Sequence, residues 1–236
     1  MPQPASAERR VGLQKTSLVD FPGEIAATLF ATGCNLRCPY CHNPELAVGI
    51  VPDDFVTVSE VLRFLERRSG VLTAVCITGG EPLLEAWVPE VAEAIHRLGL
   101  RVKLDTNGLL PRRIAAVRPD YVAVDLKLAP SRYDKLGAGA RAGSRLAETV
   151  RYLHEAAIPT EYRTTVVPGL VNSDDIRSIV AMLTEGDRLV LAAFRPGHVL
   201  DPAFAELPAP TSVMLEEFRA IAHEAGIDCT IRDHRA

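Results

Sequence analysis

The chain has little that would cross-link it covalently or hold it in a membrane. Its 236 residues include five cysteines, an odd number with three inside eight positions. That is a poor disulfide framework and a better metal or redox site for a reducing compartment. No apolar run approaches the roughly 18 residues of a membrane span, and the start, Met1-Pro-Gln-Pro-Ala-Ser-Ala-Glu8, lacks the apolar stretch of a secretory signal. A membrane role is therefore not expected, and the cytoplasm is. Charge of one sign is missing too: 26 Lys and Arg stand against 30 Asp and Glu, a net −4. No broad field draws nucleic acid to such a chain. Low-complexity tracts are also absent.

What is present is a regular α/β rhythm on ample apolar material, 47% of the residues. Strands are expected at residues 25–31, 71–78, 101–105, 121–127, 160–167 and 188–194, with a short seventh at 228–232. Helices are expected at 57–68, 87–98, 144–157, 173–185 and 211–225. Thr57-Val-Ser-Glu60 is a capping box that opens the first helix, and Gly99 stops the second. Six βα units imply a mostly parallel α/β sheet with covering helices.

The chain falls short of the roughly 250 residues typical of an eight-unit barrel, so a partial (β/α)6 TIM-like barrel is expected. It would be one domain over residues 1–236, with an N-terminal segment 1–24, a core 25–200 and a C-terminal helix and strand in 201–236. Residues 138–143 and 196–210 read as flexible loops. The polar motifs all fall where strands end, the edge at which parallel α/β folds build their sites.

Cys34-Asn-Leu-Arg-Cys38-Pro-Tyr-Cys41 sets three cysteines at C-x3-C-x2-C spacing. A [4Fe–4S] cluster normally has a cysteine on every iron, so three thiolates would leave one iron open to another molecule. Other readings compete. Cys38-Pro-Tyr-Cys41-His42 matches haem attachment but leaves Cys34 without a role. Zinc on Cys34, Cys38, Cys41 and His42 has suitable ligand types, although His42 directly follows Cys41, an unfavourable geometry for one tetrahedral ion. A redox pair of Cys38 and Cys41 again ignores Cys34. Cys76 and Cys229, in apolar segments, read as buried core thiols. Gly79-Gly80-Glu81-Pro82 taken alone is a turn after a strand. Asp105 and Asp125 end successive strands; unpaired they would repel, and a cation or hydroxylated ligand would relieve the cost. Alternatively, either acid caps a turn.

The cysteine spacing resembles the signature of radical S-adenosylmethionine enzymes. That resemblance implies one [4Fe–4S] cluster on Cys34, Cys38 and Cys41, its open iron chelating the amino and carboxylate groups of S-adenosylmethionine. One-electron reduction would then give methionine and a 5′-deoxyadenosyl radical. Tyr40, the aromatic position before the third cysteine, would lie near adenine or simply pack the loop. Gly79-Gly80-Glu81-Pro82 resembles the family's GGEP motif, where backbone carbonyls receive the substrate ammonium and a Cβ would obstruct the approach.

Leu104-Asp-Thr-Asn-Gly108 and Val124-Asp-Leu-Lys127 resemble stretches of glycyl-radical-enzyme activases, notably the pyruvate formate-lyase activating enzyme. The resemblance implies that Asp105, Thr106, Asp125 and Lys127 lie around the cofactor, at its ribose and a monovalent cation. Leu18-Val-Asp20-Phe-Pro-Gly23 and Tyr162-Arg163-Thr-Thr-Val-Val-Pro-Gly169 are similar to the same group. Phe194-Arg-Pro-Gly197 resembles the variety serving anaerobic ribonucleoside-triphosphate reductase. By this likeness Asp20 contacts the partner's glycyl loop, Arg163 clamps the cofactor carboxylate or that loop, and His198 lines the cleft. The implied function is hydrogen abstraction from a glycine of a partner glycyl radical enzyme, most closely an anaerobic ribonucleotide reductase. Residues 43–71 carry none of the extra cysteines found in some activases, so one cluster is expected, with the electron supplied by an external flavodoxin or ferredoxin. Two alternatives stand beside this: a radical enzyme acting on a small molecule, resembling 7-carboxy-7-deazaguanine synthase, and a non-catalytic iron–sulfur or zinc module.

Overall fold

The computed structural model describes residues 8–233; the reading of the first seven residues, and the end of the C-terminal segment at 234–236, lie outside the described residues. Two compact units are formed. One takes in the chain up to Asn35, Glu45–Thr106 and Arg112–Val122; the other holds Leu36–Pro44, Asn107–Pro111 and the chain from Ala123. The fold is α/β with a mostly parallel sheet, as the sequence rhythm implies.

In the first unit the strands are β1 (Arg10–Ser17), β2 (Ala26–Ala31), β3 (Val56–Thr57), β4 (Ala74–Gly79) and β5 (Arg101–Thr106), in the order β3-β1-β2-β4-β5. β2, β4 and β5 are parallel, and β1 is antiparallel to both β2 and β3. β2 and β4 are almost wholly buried, which explains why they read as continuous apolar runs rather than alternating ones. Ala31 pairs with Gly79, so the two strands end level. A short α1 (Pro44–Ala47) follows the cysteine loop, and α2 (Val58–Arg68), α3 (Val88–Arg97) and α4 (Pro111–Val117) complete this part of the chain. The predicted capping box opens α2: Thr57 Oγ1 accepts from the Glu60 amide and Glu60 Oε2 accepts from the Thr57 amide at 2.7 Å. Val58, Val61 and Leu65 on its inner face are buried, each contributing about 1.5–3 kcal/mol.

The second unit orders its strands β6 (Tyr121–Asp125), counted there from Ala123, β7 (Thr160–Val166), β8 (Arg188–Ala193) and β9 (Asp228–Arg232). β7, β8 and β9 are parallel. α5 (Ala142–Glu155), α6 (Ser173–Val180), α7 (Pro202–Ala205) and α8 (Ser212–Glu224) accompany them. The short seventh strand expected at 228–232 is β9.

Three of the segments that differ from expectation have a plain physical reason. The N-terminal segment contains β1, whose burial does not alternate regularly and whose Gln14, Lys15 and Thr16 are turned outward or exposed. Pairing holds it as a strand: Arg10 donates to the carbonyls of Asp53 and Phe55, and Gly12 lies where a Cβ would crowd the Phe55 ring. The stretch 196–210 is not simply a loop, because Asp201 accepts from the Ala203 amide and starts α7 with Pro202 in its first turn. α4 is the third, too short for its period to be recognised.

Candidate cofactor site

The cysteine loop begins in the first unit and is fastened there by glycines. Gly33, at φ +79°, donates its amide to Leu46 O at 2.7 Å, and its carbonyl accepts from the Glu81 amide at 2.8 Å. The Gly80 amide donates to Ala31 O at 2.8 Å. A Cβ at Gly79 would overlap the backbone of Ala31, and one at Gly80 the carbonyl of Gly33. The Gly79-Gly80 pair is thus required by close backbone approach to the residue just before Cys34, an independent reason for glycine beside the expected ligand contact.

Glu81 is fully buried. Its Oε1 accepts from the Leu83 amide at 3.1 Å and from Thr106 Oγ1 at 2.9 Å, so two residues expected at the cofactor bind each other and join β4 to β5. Asp105 is a half-buried acid with a cation of its own: Lys103 Nζ, itself buried, donates to Oδ1 at 2.6 Å, and Cys76 Sγ lies 3.7 Å from the same oxygen. Lys103 escaped the sequence reading, although Lys103-x-Asp105 at strand spacing puts both on one face. Asp20 is half-buried just beyond β1 and accepts from Thr28 Oγ1 at 2.6 Å. Beside it Leu18 and Val19 are 73% and 81% exposed, an apolar tip with the carboxylate at its base.

The rest of the loop belongs to the second unit. Arg37 N donates to Leu136 O at 2.7 Å, the Cys41 amide to Cys38 O at 3.0 Å, Leu200 N to Cys41 O at 3.1 Å and Asp201 N to Pro39 O at 2.9 Å. His42 Nε2 lies 2.9 Å from Arg195 O and its ring stacks on Phe194. That contact ties the His42 ring to the segment that follows β8. Segment 194–201, expected to matter only through His198, therefore braces the cysteines through its backbone; His198 itself is exposed. The backbone amides of Leu200 and Asp201 gave no side-chain signal to read.

Asp125 ends β6 with both carboxylate oxygens engaged. Arg163 Nε donates to Oδ1 at 2.8 Å and Lys127 Nζ to Oδ2 at 3.1 Å. Burial alone would raise the Asp125 pKa, but the two cations and their hydrogen bonds outweigh it and hold the carboxyl well below the usual range. Lys127 shows the converse: burial works against its charge, yet Asp125 and Cys38 keep its pKa well above the ordinary value. Tyr133, buried, accepts the Lys127 amide on its hydroxyl at 2.9 Å and so fixes the backbone of the pair. Asp105 and Asp125 are thus each paired with protein cations.

Tyr40 is 4% exposed, and its hydroxyl has no hydrogen-bond partner. Burial raises its pKa far above the usual value, against the opposing field of Lys127. An orphaned buried hydroxyl is costly unless a ligand completes it. None of the five cysteines is in a disulfide; Cys76 and Cys229 are buried as expected, and burial pushes the Cys229 thiol up to about 12.

Residues 28–183 match the family described as the Radical SAM superfamily. The chain belongs to that superfamily. As a radical SAM enzyme it uses a [4Fe–4S] cluster and S-adenosylmethionine, and three thiols on one tethered loop with a buried unpartnered tyrosine fit those two groups. It is 30% identical over 220 residues to a provisionally named glycyl-radical enzyme activating enzyme of Methanocaldococcus jannaschii, covering 89% of this chain and 90% of that one. A 7-carboxy-7-deazaguanine synthase of Methanopyrus kandleri is 36% identical over 132 residues, 46% of this chain and 51% of the relative. The fold is shared with SuiB of Streptococcus suis, solved bound to S-adenosylmethionine, at a TM-score of 0.62 and 16% identity. The match covers 86% of this radical SAM chain and about half, 49%, of SuiB.

Proposed function

We propose that this radical SAM enzyme activates a glycyl radical enzyme, most closely an anaerobic ribonucleoside-triphosphate reductase. The observation that carries the reading is the likeness to an activating enzyme over nine-tenths of both chains. Cys34, Cys38 and Cys41 would hold the cluster. When bound, the reduced cluster and S-adenosylmethionine supply one-electron cleavage chemistry able to take hydrogen from carbon. The chain's own residues bind and orient. Tyr40 offers its buried hydroxyl, Asp125 and Lys127 present a fixed charged edge held by Arg163, and Gly79 and Gly80 keep the backbone close to the start of the loop. Glu81 and Thr106 support that backbone from behind, and Asp105 is held by Lys103. His198 stands on the segment that braces Cys41.

Asp20 is assigned to the partner. A carboxylate at the base of an exposed Leu18-Val19 tip can accept amide protons from an extended loop while the apolar pair seats against it. Overall, one electron from an external flavodoxin or ferredoxin and one S-adenosylmethionine are consumed. Methionine and 5′-deoxyadenosine leave, the latter carrying the glycine α-hydrogen, and a glycyl radical remains. Accurate positioning matters more than acid–base chemistry here, so no general base is named. Thiols without disulfides suit a reducing cytoplasm, and among the described residues no helix is long and apolar enough to cross a membrane.

The test is anaerobic reconstitution with dithionite and S-adenosylmethionine, with and without the reductase. A glycyl radical signal that requires both proteins is expected. 5′-Deoxyadenosine without any protein radical on such partners would overturn the activase reading and favour a small-molecule substrate, the reading supported by the likeness to the deazaguanine synthase.

A further inference from the structure

Five side chains of alternating charge run across the second unit, and only three of them were foreseen. Lys127 and Arg163 hold Asp125 at 3.1 and 2.8 Å. Arg163 Nη1 continues to Glu161 Oε1 at 3.8 Å, and Glu161 Oε2 meets Arg232 Nη2 of β9 at 3.9 Å. Glu161 and Arg163 are two residues apart on β7 and share a face. The register aligns Arg163 with Val190 and Thr230, and Ala192 with Arg232. On the intervening β8 that face carries Arg188 in register with Glu161, then Val190 and Ala192, the last two small enough for Arg232 to reach across. Glu161 is 3% exposed and Arg232 45%.

Placing a carboxylate as buried as that of Glu161 is costly, and the guanidinium groups against it offset that cost. Arg163 is thus shared between two acids, Nε on Asp125 and Nη1 toward Glu161, which fixes the plane of its guanidinium. Arg232 decides how strongly Glu161 pulls. Without Arg232, Glu161 leans more heavily on Arg163 and draws it from Asp125. Without the Glu161 charge, Arg163 loses its second anchor.

We infer that Glu161 and Arg232 are positioning residues for S-adenosylmethionine, acting through Arg163 on Asp125 from the edge strand β9. This rests on the reading that Asp125, Lys127 and Arg163 serve the cofactor. The experiment is equilibrium binding of S-adenosylmethionine, by calorimetry, to reconstituted unreduced protein, with iron content and melting temperature measured on each variant. Glu161→Gln and Arg232→Met should each weaken binding about tenfold, the scale of lost outer-shell support, with wild-type iron content. Arg232→Lys should recover most of the loss. The double variant should bind within about twofold of Glu161→Gln alone, because both changes act along one path. Asp125→Asn is the reference. If it weakens binding while Arg232→Met does not, or if the two losses simply add, the inference is wrong. If Asp125→Asn leaves binding unchanged, the cofactor role of the trio fails and the inference falls with it.

Discussion

At the scale of single residues, Gly80 has two reasons to be glycine, and one is independent of any ligand. A methyl there would overlap Gly33 O, one residue before Cys34, while the Gly80 amide must still reach Ala31 O. Gly80→Ala is therefore expected to cost about 1–3 kcal/mol in the apoprotein, as overpacking does, and to reduce iron loading on reconstitution. Denaturant titration and iron analysis check this; wild-type values in both would show that the glycine serves the ligand alone. Glu81 and Thr106 make a related point. Both are expected at the cofactor, and each is buried and bonded to the other, a pairing that also shapes the turn that carries Gly79 and Gly80.

Between elements, the Asp125 clamp ties the end of β6 to the middle of β7. Its folded pKa lies below the unfolded value of about 3.9, so the stabilisation is fully present above that value and is lost as pH falls through the depressed one. The stability gap between wild-type and Asp125→Asn apoprotein should stay constant from about pH 8 to about pH 5, begin to narrow below about pH 4 and go on narrowing as pH falls toward the depressed value. A gap unchanged at low pH would mean that the clamp contributes no charge-dependent stability. Elements with a clear period or a cap were legible in the sequence: α2 opens on its Thr57 box, and β2 and β4 announce themselves as buried runs. β1 was not, because three successive polar residues hide a strand that exists through its pairing with β2. α7 was hidden among prolines. For the same reason the bracing of Cys41 by Leu200 and Asp201 could not be foreseen, since backbone amides leave no mark on residue type. Lys103 and Glu161 could have been found, as each stands two positions from a singled-out charge of opposite sign on one strand face.

For the whole molecule, the superfamily fixes the cofactors, and the choice of hydrogen donor distinguishes an activase from a small-molecule enzyme. The apolar tip at Leu18 and Val19 beside Asp20, and the likeness to an activating enzyme along nearly the full chain, favour a protein glycine. The most direct measurement is isotope transfer. The reductase is produced with α-deuterated glycine and incubated anaerobically with the reduced, reconstituted protein and unlabelled S-adenosylmethionine, and the 5′-deoxyadenosine is examined by mass spectrometry. Deuterium from the partner's glycine should appear in the 5′-deoxyadenosine in step with the growth of the glycyl radical signal. Unlabelled 5′-deoxyadenosine formed at the same rate with and without the partner would contradict the account.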